Sequence, residues 1–214
     1  MSQHIHDQGV WEKELSEIWY NHIRAGDLVL DIGANIGWYT KIANLKGASC
    51  IAIEPDPKNF KLLKQNCDHD NNEFYNMCAG NSTDNVYLKL SDCNYGDNRV
   101  SADGMGDILC KQTTVDSLIA DRASEIRAIK IDTQGWEPNV ILGALETLKA
   151  VPKDCLIIIE YWPWMLNQNK FTTEAYHKLF EIFTGNRYFS AADEWNNWIH
   201  NPDVYSDLVV YKNT

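Results

Sequence analysis

The side chains best equipped for chemistry in this chain are four carboxylates, set among glycines and apolar runs. Asp31 opens the segment Asp31-Ile32-Gly33-Ala34-Asn35-Ile36-Gly37, and Glu54 follows it by 23 positions. Asp132 and Glu160 each close a later apolar run. Glycines spaced like Gly33 and Gly37 make a tight turn where a ligand can lie close to the backbone. A carboxylate ending the next strand can accept both hydroxyls of a ribose. Two further carboxylates can take a proton, orient an acceptor or hold a divalent cation.

Three ligand classes compete for such a turn. A phosphate-binding P-loop needs GxxxxGK[ST], and nothing in the sequence matches it. A dinucleotide site needs GxGxxG, but Asn35 stands at the second glycine and its side chain crowds a pyrophosphate. An adenosyl ligand without phosphates remains, and S-adenosylmethionine fits it. Gly33 and Gly37 flank the methionyl part, Asp31 takes its ammonium or a water bound to it, and Glu54 takes the ribose. Ala79, just after the third strand, is where adenine is expected to stack. The competing structural reading is that these glycines only form a strand-to-helix turn.

Asp132 is expected beside the cofactor's methyl group and is the first choice for the base or acceptor-orienting residue. The structural alternative is that it caps the helix beginning near Glu137, or orders the turn with Gly135. Glu160 ends the neighbouring strand. The pair Asp132 and Glu160 could bind Mg²⁺ through oxygen ligands, or could raise one another's proton affinity. Glu137 is expected to face the same rim, where it favours its own helix N-terminus electrostatically.

Elements that could hold these groups alternate along the chain. Val10 to Ile23 carries apolar positions at helical spacing. Asp27 to Ile32 is a nearly continuous apolar run, as in a strand buried on both faces. A helix from about Gly37 to Lys46 and a strand from Ser49 to Glu54 follow. Asp56 and Pro57 suit the N-cap and first position of a helix reaching about Cys67. Later strands are read at Glu73 to Cys78, Val86 to Leu90, Ala128 to Asp132, Cys155 to Glu160 and Ser206 to Tyr211. Helices are read at Glu137 to Lys149 and Glu174 to Phe183. The stretch Ser91 to Gly106 reads as a long loop, and its part from Asp92 to Ser101, with Asn94, Asp97, Asn98 and Arg99, is expected to cover the site. Alternating units of this kind predict an α/β fold. The expectation is one Rossmann-like domain over residues 26–214, behind a helical extension at 1–25. Its mostly parallel sheet of seven strands is doubly wound, with helices on both faces and ligands at the carboxyl strand ends.

Composition narrows the partners. The chain has 214 residues, enough for one substantial core, and a net charge of −11 that disfavours a nucleic-acid backbone. No apolar run reaches the roughly 18–20 residues that span a bilayer, and the first residues do not form a signal peptide. A cytoplasmic location without membrane contact is therefore expected. The six cysteines show no CxxC pair and read as free thiols. Trp38, Trp136, Trp162, Trp164, Trp195 and Trp198 could wall an acceptor pocket, against the plainer role of packing the core.

The segment Asp31 to Thr40, the segment Glu54 to Phe60, Thr113-Thr114-Val115-Asp116-Ser117-Leu118 and Ile129 to Glu137 together resemble the FkbM family of methyltransferases. Leu142-Gly143-Ala144 and Ile157 to Glu160 extend the resemblance, which runs from about Leu28 to Glu160 and weakly to Tyr211. It implies the class I methyltransferase fold, S-adenosylmethionine as donor, and O-methylation of a small-molecule or sugar hydroxyl. Gln134 stands where the family commonly has an acidic residue, and Trp136 where a smaller or polar one is frequent. That departure motivates a second reading, a cofactor-binding module without catalysis. A third, a protein or nucleic-acid methyltransferase, runs against the charge.

Overall fold

Val29, Leu30 and Ile32 alternate between two apolar layers, and that alternation places the first strand in the middle of the molecule. The computed structural model describes residues 7, 9–91, 97–162, 164–165, 174–176, 178, 182 and 206–211. Elements are numbered here in chain order. Helix α1 (Lys13–His22) precedes β1 (Leu28–Ile32), α2 (Trp38–Leu45), β2 (Ser49–Ile53), α3 (Pro57–Asn66) and β3 (Glu73–Tyr75). The short strands β4 (Cys78–Ala79), β5 (Asp84–Lys89), β6 (Arg99–Val100) and β7 (Ile108–Thr113) come next. After α4 (Val115–Ile119) run β8 (Ile126–Ile131), α5 (Glu137–Leu142), α6 (Leu145–Ala150), β9 (Leu156–Tyr161) and β10 (Ser206–Tyr211).

The expected single sheet of seven strands is corrected by two sheets. The described residues form a main sheet of six strands, in the order β10-β9-β8-β1-β2-β3, and a second of four, β4-β7-β5-β6. Within the main sheet every pair is parallel except β9 and β10. The run read as one strand from Glu73 to Cys78 breaks after Tyr75. The Asn76 side-chain amide donates to the Glu54 and Pro55 carbonyls, at 2.9 and 3.0 Å, and turns the chain away. Cys78 then pairs with Gln112 in the second sheet.

Helices cover both faces of the main sheet. On one, Trp19 of α1, Tyr39 and Ile42 of α2 and Leu63 of α3 pack on Val29, Cys50, Ala128 and Ile158. Trp19 is wholly buried, and its indole N–H donates to the Tyr39 carbonyl at 3.1 Å, so α1 is part of the core rather than an appendage. On the other face, Val140, Ile141 and Leu148 meet Leu30, Ile51, Ile129 and Ile157.

Two helix starts follow the local chemistry. Asp56 caps α3 by accepting from the Lys58 N–H at 2.6 Å, with Pro57 at the first position. The helix read from Glu137 to Lys149 is two helices, because Asp116 takes the N–H of Thr147 at 2.7 Å and of Glu146 at 3.2 Å and starts α6 afresh. Cys50, Cys67, Cys78, Cys110 and Cys155 are buried thiols outside any disulfide. No helix among the described residues is long and apolar enough to cross a membrane. Cys93, Trp195, Trp198, residues 92–96 of the long loop and half of the helix read at Glu174 to Phe183 lie outside the described residues.

Candidate functional site

A cleft of about 320 Å³ opens at the carboxyl ends of β1, β2 and β8, where the crossover of a parallel sheet leaves room for a ligand. Small-molecule sites span roughly 300–1,000 Å³. Of the residues expected at the cofactor, Gly33, Asn35, Glu54, Ala79 and Asp132 line this cleft. Asp31, Gly37 and Glu160 do not line it.

The turn after β1 is held by its own amides. The N–H groups of Gly33 and Ala34 both donate to the Ile53 carbonyl, at 2.9 and 3.0 Å. Gly37 donates to Ala34 at 2.8 Å, and Asn35 donates to Glu54 Oε2 at 2.8 Å. A phosphate cradle needs such donors turned towards the ligand; here they are spent on the protein. Gly33 has φ +81°, and a Cβ there would overlap the Asp132 carbonyl oxygen, so β1 and β8 can meet at the cleft floor only with glycine. Gly37, at φ +93°, serves packing: a Cβ would press on Cys67 Sγ and Leu63.

Glu54 is buried beneath the cleft with both oxygens engaged, Oε2 by Asn35 and Oε1 by the Asp56 N–H at 2.9 Å. Each carboxylate oxygen keeps a further lone pair for a ligand hydroxyl. Burial, incompletely offset by the two backbone N–H groups, pushes the Glu54 carboxyl up to about 8. Asp31 faces away. Its Oδ2 accepts from the Thr40 hydroxyl at 2.6 Å and the Thr40 N–H at 3.0 Å, fixing the first turn of α2. Burial raises it to about 6 despite those bonds.

At the end of β8, Glu137 proves to be wholly buried rather than on the rim. It accepts from the N–H groups of Thr133 and Gly135 and from the Thr133 hydroxyl, at 2.7, 3.0 and 2.9 Å. That clamp fixes residues 133–136, so the turn at Gly135 is ordered by Glu137 and not by Asp132. Asp132 is thereby left to face the cleft, and its Oδ1 accepts from Gln134 Nε2 at 2.8 Å. The same amide nitrogen reaches Glu160 Oε1 at 3.2 Å, so Gln134 bridges the two carboxylates.

Lys130, unforeseen from the sequence, completes the arrangement. Its side chain is 1% exposed, and its ammonium lies 3.0 Å from Asp207 of β10, 3.4 Å from Asp132, 4.0 Å from Glu12 and 5.2 Å from the Tyr39 ring centre. Burial alone would depress it, but Asp132, Asp207, Tyr39 and Glu12 outweigh burial and hold it well above the ordinary lysine range. Glu12 lines the cleft and accepts from the Tyr39 hydroxyl at 2.6 Å. The signal that could have found Lys130 is a charge inside the buried, otherwise apolar end of β8, Ala-Ile-Lys-Ile. Nothing in the sequence announces Glu12, which reaches the site from before α1.

The cleft wall carries Trp11, Trp136 and Trp162. Trp136 donates its indole N–H to Gln112 at 3.0 Å, and Trp162 stacks on Trp164 at 5.3 Å. Trp38 packs away from the cleft, donating to Ser16. Asp97 and Asn98 line the cleft, and Asn98 is tied to the helix cap by a 2.6 Å bond to Asp56. Arg99 pairs with Asp97. The donor set does not suit a divalent cation: Gln134 presents hydrogens to both carboxylates, and Lys130 already faces Asp132. Among the described residues no group of three His, Cys, Asp or Glu side chains could hold one.

A mostly parallel sheet with a glycine turn after its first strand and a buried carboxylate after its second defines a Rossmann-like α/β class. Within that class the chain belongs to the FkbM methyltransferase family, whose domain matches residues 31–201. No curated protein gives a significant sequence match. The solved structure of an rRNA methylase from Streptococcus thermophilus is 11% identical, with a TM-score of 0.52 over 94% of this chain and 95% of its own, and shows the shared fold. A TehB-like SAM-dependent methyltransferase from Corynebacterium glutamicum is 12% identical, TM-score 0.45, over 83% and 77%. An RNA methyltransferase from Salinibacter ruber in complex with S-adenosyl-L-homocysteine is 14% identical, TM-score 0.40, over 71% and 76%.

Proposed function

We propose that this protein transfers a methyl group from S-adenosylmethionine to a hydroxyl of a small molecule or sugar. One observation carries the donor: the turn amides are consumed internally while Glu54 lies beneath the cleft with lone pairs to spare. That chemistry fits an adenosine ribose and disfavours a pyrophosphate. Ala79, buried at the cleft wall, offers a flat apolar contact for adenine.

S-adenosylmethionine supplies the methyl as a sulfonium, and transfer breaks the C–S bond to leave a neutral thioether. The acceptor oxygen forms the new bond to the methyl carbon, and its proton must go to a base. Asp132 is that base in this reading, with Lys130 at one oxygen and Gln134 at the other setting its direction. Alignment of the acceptor supplies much of the remaining rate. A nucleic-acid acceptor calls for basic contacts, and neither Lys nor Arg lines the cleft among the described residues.

Calorimetry with S-adenosylhomocysteine should give saturable binding in the micromolar range, and absence of heat at millimolar ligand refutes the donor. A hydroxyl-compound panel, followed by release of S-adenosylhomocysteine, then seeks the acceptor. With an acceptor in hand, Asp132→Asn should keep cofactor affinity within about threefold and lose turnover by roughly 10²–10⁴-fold, the usual weight of a general base. Undiminished turnover removes Asp132 from the chemistry.

A further inference from the structure

Gln134 occupies an unusual place for its size. It adopts the left-handed backbone conformation, φ +54°, which side chains other than glycine and asparagine seldom enter. The Glu137 clamp on Thr133 and Gly135 holds it there. From that position its amide nitrogen meets Asp132 Oδ1 at 2.8 Å and Glu160 Oε1 at 3.2 Å. Two carboxylates can only accept from it, so the amide must present its NH₂ and not its oxygen. Divalent cations bridging such a pair sit at about 2.0–2.6 Å from carboxylate oxygens, in the space between them. That space here holds the NH₂ group.

The charges around it agree. Lys130 faces the other Asp132 oxygen at 3.4 Å, and Asp207 and Glu12 face Lys130 in turn. Glu137 lies behind the turn and Tyr39 beside the ammonium. A divalent ion entering this group would have to expel the amide and approach a buried ammonium.

We propose that Gln134 is a positioning residue whose amide takes the place of a bridging cation between Asp132 and Glu160, so that this chain aligns its acceptor without a divalent metal. The proposal rests on reading these two carboxylates as the acceptor side. Replacing the amide by a carboxylate should then create a cation site where none exists.

The test needs no acceptor. Mn²⁺ alone is titrated into the full chain and followed by loss of the free-ion electron paramagnetic signal. The natural protein should show no uptake below millimolar Mn²⁺ that Asp132→Asn removes. Gln134→Glu should bind Mn²⁺ at least tenfold more tightly, with Glu160→Gln in that background abolishing the gain. Tight uptake by the natural protein, lost in Asp132→Asn, overturns the proposal, because the amide would then turn its oxygen to a metal. Equal, weak binding by Gln134→Glu also overturns it. Should that variant fail to fold, the natural protein still decides. The Gln134 side-chain NH₂ resonances, identified by their absence in Gln134→Ala, must remain sharp as Mn²⁺ is added, and their broadening refutes the idea. Binding of S-adenosylhomocysteine is measured alongside, so a failure of the donor reading shows up separately.

Discussion

Replacing Lys130 with Met probes the junction that joins four parts of the chain. Methionine keeps much of the stem's volume and deletes the ammonium, leaving Asp207, Asp132 and Glu12 converging on an apolar tip. The lost pairs span 3.0, 3.4 and 4.0 Å, and the acidic side chains are only 13–21% exposed, so water relieves them little. Breaking a buried pair by removing one partner costs about 3–5 kcal/mol. We take the lower end, about 3 kcal/mol, because Glu12 is the most distant partner and Asp132 reaches the cleft. For a chain of this size that lowers the melting temperature by roughly 6–12 °C. The sign with pH follows from the charges. Lys130 is raised in the folded protein, so its stabilisation is complete below the ordinary lysine range and is lost only above its folded value. In the variant Glu12, already raised by burial, loses the ammonium that opposed the rise and can take a proton, so the deficit should shrink as the pH falls towards about 4. Urea unfolding followed by tryptophan fluorescence, at neutral pH and near that value, measures both. A deficit under about 1 kcal/mol, or one that does not shrink on acidification, refutes the reasoning.

Glu54→Ala should weaken S-adenosylhomocysteine binding by roughly 10–100-fold, the worth of hydrogen bonds to a charged group, and by more than Asp132→Ala does; calorimetry of both variants checks the order. Because burial holds the Glu54 carboxyl at about 8, the empty protein keeps its proton at neutral pH. If a ribose binds the ionised form, affinity should rise with pH and level off above about 8. The ligand-free protein should lose stability over the same rise, since the folded state holds the proton more tightly than the unfolded chain; a flat profile in both measurements contradicts the assignment. Gly33→Ala combines a left-handed backbone with overlap on the Asp132 carbonyl, so it should cost more than about 2 kcal/mol and abolish cofactor binding. A soluble variant with unchanged denaturant midpoint would show that β1 and β8 can separate.

Local features were legible from sequence because their causes are local. The strand, glycine turn and helix from Leu28 to Leu45 follow from an apolar run meeting two glycines, and the Asp56 and Pro57 start of α3 follows from capping chemistry. Partners distant in sequence were not legible. Whether Cys78 continues the first sheet or begins another depends on which strand lies alongside, and that strand is 30 residues further on. The same holds within the site. Asp31 is drawn from the ligand by Thr40, whose hydroxyl answers it once the helix closes. Glu137 looked like a rim charge because it begins a helix, yet the turn before it offers three donors and takes it inside. Asp207 joins Lys130 only through the antiparallel pairing of β9 and β10, a contact that no motif encodes.

The left-handed backbone at Gln134 sets a trap for anyone who stabilises this protein by design. Glycine is the ordinary remedy for such a position, and Gln134→Gly would relieve roughly 1 kcal/mol of strain. A scheme ranking substitutions by backbone conformation alone would therefore favour it. The altered protein would have surrendered the amide between Asp132 and Glu160, and a buried carboxylate that loses its donor costs about 1–3 kcal/mol. Backbone ease and side-chain pairing pull this position in opposite directions, and the pairing outweighs the strain.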